Sequence, residues 1–209
     1  MRQARSPALA VILAWKHRRL SSPMHGRGVM SKKWIAIIAA TALSVAAPPS
    51  HAGRKGWDDA SKIATDALVV TALGVPAVQS DWNGLLQAGG SMAVAEGVAA
   101  GLKEAFPEWR PDHSDRKSFP SGHTSVSFAA AATLQKRYGW QIGLPAQIVA
   151  AFVGVGRVEA KKHHWYDVLA GAVIGESSGF LITRRANDRV QVFPWGGAKS
   201  GGVLVSMTF

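Results

Sequence analysis

Three stretches of this chain, Ser125–Leu134, Ile148–Val155 and Val168–Ile174, carry no charged residue and are rich in Ala, Gly and Val. A helix made from such a stretch has no polar face, so other helices or lipid must cover it nearly all round. That requirement points to an all-α fold: a compact helical bundle. The breakers set the boundaries. Asp58–Leu73 has a helical pattern, with Asp58 and Asp59 expected in its first turn, where the helix dipole favours acids. Gly74-Val75-Pro76 is expected to end it. Trp82–Phe106 reads as a second helix with a break at Gly89-Gly90, and His123–Tyr138 as a third. Gly139–Pro145 reads as a connector, Ala146–Arg157 as a fourth helix and His164–Thr183 as a fifth. Arg189–Phe193 and Val203–Phe209 alternate as a small C-terminal β-hairpin would. No uncharged stretch reaches the roughly 20 apolar residues of a comfortable span. Two packings stay open: a soluble bundle, or a membrane bundle with polar residues at its outer mouth.

The formal charge of +11 suggests nucleic acid until its distribution is examined. Residues 1–52 hold eight Lys/Arg and no acid, which leaves sixteen basic against thirteen acidic residues in the remainder. A net +3 without a basic stripe argues against a nucleic-acid partner. The basic segment reads as targeting. Met30-Ser31-Lys32-Lys33 is a positive n-region, Trp34–Ala47 an apolar run, and Ser50-His51-Ala52 a small-x-small cleavage site. Translation is expected to start at Met30, or else residues 1–29 form a long n-region. The expected organisation is a targeting region at 1–52, a helical domain at 53–188 and a tail at 189–209, in an exported protein of the periplasm or inner membrane. The chain has no cysteine, so packing and not disulfides must stabilise it.

Three polar islands interrupt this apolar background. His163 and Asp167 are four apart and share a helix face, so the carboxylate can accept from one imidazole nitrogen and leave the other free to attack. His164 is set aside because its i+4 neighbour is Val168. Arg157 closes the preceding helix and can point into the same cleft. Pro120-Ser121-Gly122-His123 opens a helix, whose N-terminal N–H groups suit phosphate. There Ser121 adds a hydroxyl, Gly122 allows close backbone approach, and His123 stands where a general acid belongs. Lys103 and Arg110 add a point charge and a planar fork. Each island alone has a plain structural explanation.

Their order and spacing resemble something more specific. Lys103, six residues, Arg110-Pro111; Pro120-Ser121-Gly122-His123; then Arg157, five residues, His163, three residues, Asp167. This resembles the three-part signature of the type 2 phosphatidic acid phosphatase superfamily, which includes bacterial acid phosphatases, lipid phosphatases and vanadium haloperoxidases. The resemblance covers roughly residues 57–183. It implies that His163 is the nucleophile of a phosphohistidine pathway, that Asp167 orients it, and that His123 protonates the leaving oxygen. It implies a phosphate cradle of Lys103, Arg110, Arg157, Ser121 and the Gly122 N–H, with no metal and no cofactor. Gly156 departs from the Ser that often precedes the third-island Arg.

The expected function is therefore an exported phosphatase acting on phosphate monoesters, or on lipid phosphates and diphosphates, through a phosphohistidine. The partner is a phosphorylated small molecule or lipid. Alternatives on the same site are a phosphotransferase, a vanadate-dependent peroxidase, and a non-catalytic envelope phosphate-binding protein. His113, Trp109, Trp165 and the Lys161-Lys162 pair are read as a solvated loop, aromatic packing and a charged turn.

Overall fold

The computed structural model describes residues 53–185 in full and the backbone of residues 190–197 and 200–207. The targeting region expected at 1–52 lies outside the described residues. Five helices follow in order: α1 (Arg54–Val78), α2 (Trp82–Ala105), α3 (Gly122–Tyr138), α4 (Trp140–Glu159) and α5 (Trp165–Ile182). In the tail, β1 (Val190–Gly197) runs antiparallel to β2 (Ser200–Met207), with Gly196 opposite Gly201.

Three boundaries differ from the sequence reading, each for a local reason. α1 starts at Arg54, so Asp58 and Asp59 fall in its second turn, and Pro76 lies inside the helix three residues from its end. The proline lacks the N–H that would bond the Ala72 carbonyl, and the helix runs on only to Val78 beyond it. α4 likewise begins at Trp140 and contains Pro145, so the expected connector is helix. Gly89-Gly90 causes no break, because the two residues lie well inside the continuous helix α2. With these extensions α1 and α4 are each long and apolar enough to cross a membrane, contrary to the lengths read from the sequence.

α3 is the axis of the bundle. It touches each of the other four helices, and Ser125, Ser127, Ala129–Leu134 and Arg137 along it are all buried. Its contact with α5 is made through small residues. A Cβ added at Gly171 would lie 2.6 Å from the Ser121 carbonyl oxygen, at Gly175 2.3 Å from the Ser125 oxygen, and at Gly179 2.4 Å from Ala132 Cβ. Three glycines four apart thus let the two backbones approach directly. Hydroxyls bridge helices inside this core: Ser91 Oγ to Thr133 Oγ1 at 2.8 Å, Thr133 Oγ1 to Thr183 Oγ1 at 3.0 Å, and Ser127 Oγ to Thr65 Oγ1 at 3.1 Å. At the α3 C-terminus, the buried Arg137 guanidinium pairs with Asp81 and donates to Gln87 Oε1 at 3.1 Å.

The outside is apolar. Leu169, Val173 and Leu181 of α5 and Leu144, Ile148 and Val155 of α4 are exposed, while α5 buries little but glycine, Ser178 and Asp167. Trp82 and Trp140, exposed as well, begin α2 and α4. The polar islands gather at the other end, where α1 and α3 begin and α2 and α4 finish.

Candidate active site

Two loops form this end. In the first, between α2 and α3, Glu108 N–H donates to the Arg116 oxygen and Ser118 N–H to the Glu108 oxygen, each at 3.0 Å. The second, between α4 and α5, folds back on Arg157, whose carbonyl accepts from the N–H groups of Lys162 at 3.1 Å and His163 at 3.2 Å. The loops are tied to each other. Asp112 N–H donates to the Lys161 oxygen at 3.1 Å, Arg110 Nη1 to the Lys162 oxygen at 3.3 Å, and Lys162 Nζ pairs with Asp112 at 2.6 Å.

His163 is 2 % exposed, and its Nδ1 lies 2.8 Å from the carbonyl oxygen of Ser118. A carbonyl only accepts, so Nδ1 carries the proton and Nε2 of the neutral ring keeps its lone pair. Asp167, fully buried, stands 3.6 Å from the same Nδ1 through Oδ2. That oxygen accepts from Ser118 Oγ at 2.5 Å and from His164 N–H at 2.8 Å, while Oδ1 has no partner among the described residues. Asp167 is thus joined by a second group on the same imidazole nitrogen. Ser118 stands between His163 and Asp167, accepting from the imidazole through its backbone and donating to the carboxylate through its side chain. Ser118 lies outside all three islands, and no spacing in the sequence signals it. His164 is not as isolated as its i+4 spacing suggests. Its Nδ1 is 3.4 Å from Asp167 Oδ2, at i+3, and its ring stacks on Tyr166. His163, not His164, lines the cleft.

The electrostatics follow from burial among cations. Burial, together with Arg110, Lys103 and Arg157, lowers the His163 pKa against the opposing pull of Asp167. His123 drops to about 4, through burial first and then Arg157 and His163. Both imidazoles are thus neutral at neutral pH. Burial raises the Asp167 pKa, but the His163 imidazole, the Ser118 hydroxyl and the His164 N–H outweigh it and hold the carboxyl below its usual range. Burial and the nearby Arg110 also lower Lys103. Lys103 Nζ donates to the carbonyls of Lys117 and Pro120, which ties α2 to the turn that opens α3.

Arg157 is 3 % exposed, and its Nη1 pairs with Asp58 Oδ1 at 2.5 Å and donates to Ser61 Oγ at 3.3 Å, leaving Nε without a partner among the described residues. This accounts for Gly156. A Cβ there would sit 2.8 Å from Ser61 Cβ, so α1 occupies the space a serine would need. Ser61 supplies the hydroxyl to the arginine instead. Asp58, expected to serve the helix dipole, is the arginine's counter-ion.

The cleft encloses about 370 Å³, and its walls include Lys103, Arg110, Gly122, His123 and His163. Ser121 is fully buried beneath it, its hydroxyl 2.9 Å from Thr124 Oγ1 and its N–H donating to the Asp167 oxygen at 3.0 Å. Asp167 and Arg157 also lie behind the wall, not in it. Among the described residues, one trio of metal-ligand type, Glu108, His164 and Asp167, has donor atoms within 4.8 Å of one another. It shares Asp167 with His163 and so forms no independent centre. The arrangement can hold a tetrahedral anion between cations and N–H groups, with an unprotonated imidazole nitrogen beside it and a second imidazole close by.

Residues 84–191 match the model of the PAP2 superfamily. That match ends inside β1, and the expected C-terminal hairpin draws no support from it. The chain is 36% identical over 94 residues to a lipid A 1-phosphatase of Porphyromonas gingivalis, which covers 43% of this chain and 21% of that protein. It is 32% identical over 116 residues to a lipid A 4'-phosphatase of Helicobacter pylori, covering 50% of this chain and 59% of that one. The chain therefore spans less than two thirds of either relative. The crystal structure of Aquifex aeolicus LpxE shares its fold with a TM-score of 0.54 at 18% identity, over 71% of this chain and 92% of that one.

Proposed function

The chain belongs to the PAP2 superfamily, and from that premise we propose that it is a phosphatase of lipid phosphate monoesters working through a phosphohistidine. His163 Nε2 attacks phosphorus in line with the departing oxygen. The P–O ester bond breaks, and the proton that the monoanionic phosphate ester brings with it passes through the neutral His123 imidazole to the leaving alkoxide. Water, deprotonated by His123, then displaces the imidazole and releases orthophosphate. Lys103 and Arg110, with the Gly122 N–H, neutralise the charge that spreads over the equatorial oxygens, and Arg157 adds its positive charge from behind the wall. Ser121 is kept in this reading as a support of the turn. One observation carries the assignment: the Ser118 carbonyl holds the proton on His163 Nδ1 and leaves Nε2 the free nitrogen at the cleft.

The lipid reading rests on the outer surface. Exposed Leu, Val and Ile cover α4 and α5, glycine and hydroxyl contacts fill the interior, and tryptophans stand at the helix ends. That distribution suits helices packed in lipid. With α1 and α4 spanning, the cleft lies at one membrane face. We place that face on the periplasmic side, consistent with the export signal read at 30–52, and take 53–188 as the catalytic domain with 189–209 as its tail hairpin.

The test is phosphate release from phosphatidic acid and other lipid monophosphates by purified protein in detergent, with acid-labile, base-stable phosphate trapped on the protein in rapid-quench samples. His163→Ala should abolish both. Undiminished turnover in that variant would overturn the assignment.

A further inference from the structure

The cleft that holds the cations also holds two acids that the reaction above does not use. Asp66 on α1 and Glu96 on α2 both line it, alongside Thr65, Val69 and Val126. Neither carboxylate makes an ion pair or a side-chain hydrogen bond among the described residues. Their placement is matched. Asp66 lies eight residues beyond Asp58, the counter-ion of Arg157, or about 12 Å further along α1 at ordinary helical rise. Glu96 lies seven residues before Lys103, or about 10 Å along α2 in the opposite chain direction. Because α2 runs back beside α1, the backbones of both residues sit about two turns below the cationic end. Glu96 also reaches the cradle's edge: its Oε2 stands 3.0 Å from where a Gly122 Cβ would be.

The cleft is thus divided by charge. Lys103, Arg110 and His163 attract the transferred phosphoryl group. Beside and below them, Asp66 and Glu96, neither in an ion pair among the described residues, line the same cleft. Hydrocarbon placed there would strip water from both carboxylates without replacing it. A second phosphate would meet like charge. A hydroxyl or an ammonium group would satisfy them.

We propose that Asp66 and Glu96 read the leaving group, accepting hydrogen bonds from a hydroxyl- or amine-bearing head, such as a glycosyl residue, and excluding diphosphates. The substrate class is then the monophosphate of a polyhydroxy or amino head group. The inference rests on the phosphatase reading above and narrows it.

The test uses calorimetry on full-length protein in detergent, in a His163→Asn background that cannot form the phosphohistidine. The probes are orthophosphate, pyrophosphate and glucosamine 1-phosphate. Glu96→Gln and Asp66→Asn are isosteric and exposed, and unchanged unfolding temperatures will verify their folding. Each is expected to raise the affinity for pyrophosphate relative to orthophosphate by about tenfold, as removal of a like charge should, and to weaken glucosamine 1-phosphate. A pyrophosphate-to-orthophosphate ratio unchanged within about twofold in both variants overturns the proposal. Turnover of the corresponding esters by the unmodified enzyme is measured in parallel. Its complete absence refutes the phosphatase reading, while the binding ratios decide the leaving-group assignment on their own.

Discussion

Gly175→Ala tests whether the contact between α3 and α5 is as close as it looks. The added Cβ would fall 2.3 Å from the Ser125 oxygen, 2.7 Å from Phe128 Cβ and 2.8 Å from Ala129 N. Two of the three are backbone atoms of α3 and cannot rotate away, so the helices must part by about 1 Å to reach ordinary contact. Overpacking of this kind costs about 1–3 kcal/mol, and rigid neighbours put it at the upper end. Alanine's better helix propensity returns about 1 kcal/mol, so the net loss is about 2 kcal/mol. For a domain of this size that lowers the unfolding midpoint by about 4–8 °C. The comparison is Gly101→Ala on α2, where nothing lies within 4 Å of the new methyl; it should gain up to about 1 kcal/mol from propensity alone. Circular dichroism melts in one detergent measure both. Parting the helices also moves Asp167, at the start of α5, against His123 on α3, so kcat/KM should fall by as much as about a hundredfold. If Gly175→Ala melts at or above the unmodified protein, the backbones are not in contact there.

Ser118→Ala removes the hydroxyl on Asp167 Oδ2 but keeps the carbonyl on His163. Losing a hydrogen bond to a charged group costs about 1.5–3 kcal/mol, so kcat should fall at least about tenfold with KM little changed, and a kcat within twofold of normal would rule out the positioning role. Gly156→Ser should destabilise the protein by about 1–3 kcal/mol through its collision with Ser61, and Ser61→Gly on the same chain should restore much of it; two additive losses in melting experiments would refute the exchange. The lowered His163 pKa keeps the nucleophile neutral below the ordinary imidazole range, so kcat/KM should hold up in mild acid. Because His123 is already deprotonated above about 4, the leaving group's proton must arrive with the substrate. Rates should therefore fall as pH rises past the second phosphate ionisation near about 6, and a pH profile that rises through that region would contradict the assignment.

The bundle was readable because Ser125–Leu134 and Val168–Ile174 admit no polar face, and that constraint is local. Pro76 and Pro145 look like breakers in isolation for the same reason, yet both lie inside helices. At the site, His123, His163, Lys103 and Arg110 were found by type and spacing, and the fold brings them into one cleft. Asp58, Ser61 and Ser118 were not. Each acts on a residue 45–99 positions away, and Ser118 acts partly through a carbonyl that every residue possesses. Asp66 and Glu96 were invisible because unpaired acids on a helix usually face water.

The bonding between the two loops bears on how a substrate would be received. Arg110, Asp112 and Lys162 are already fastened across the gap, and Ser118 is fastened to both His163 and Asp167. Little chain remains to be ordered when an anion enters, so the entropy of ordering that a mobile lid would forfeit on binding is spent during folding instead. Affinity at such a mouth is governed by exchange of water for phosphate oxygens on fixed donors, and discrimination between substrates falls to whatever the unyielding walls below will accept.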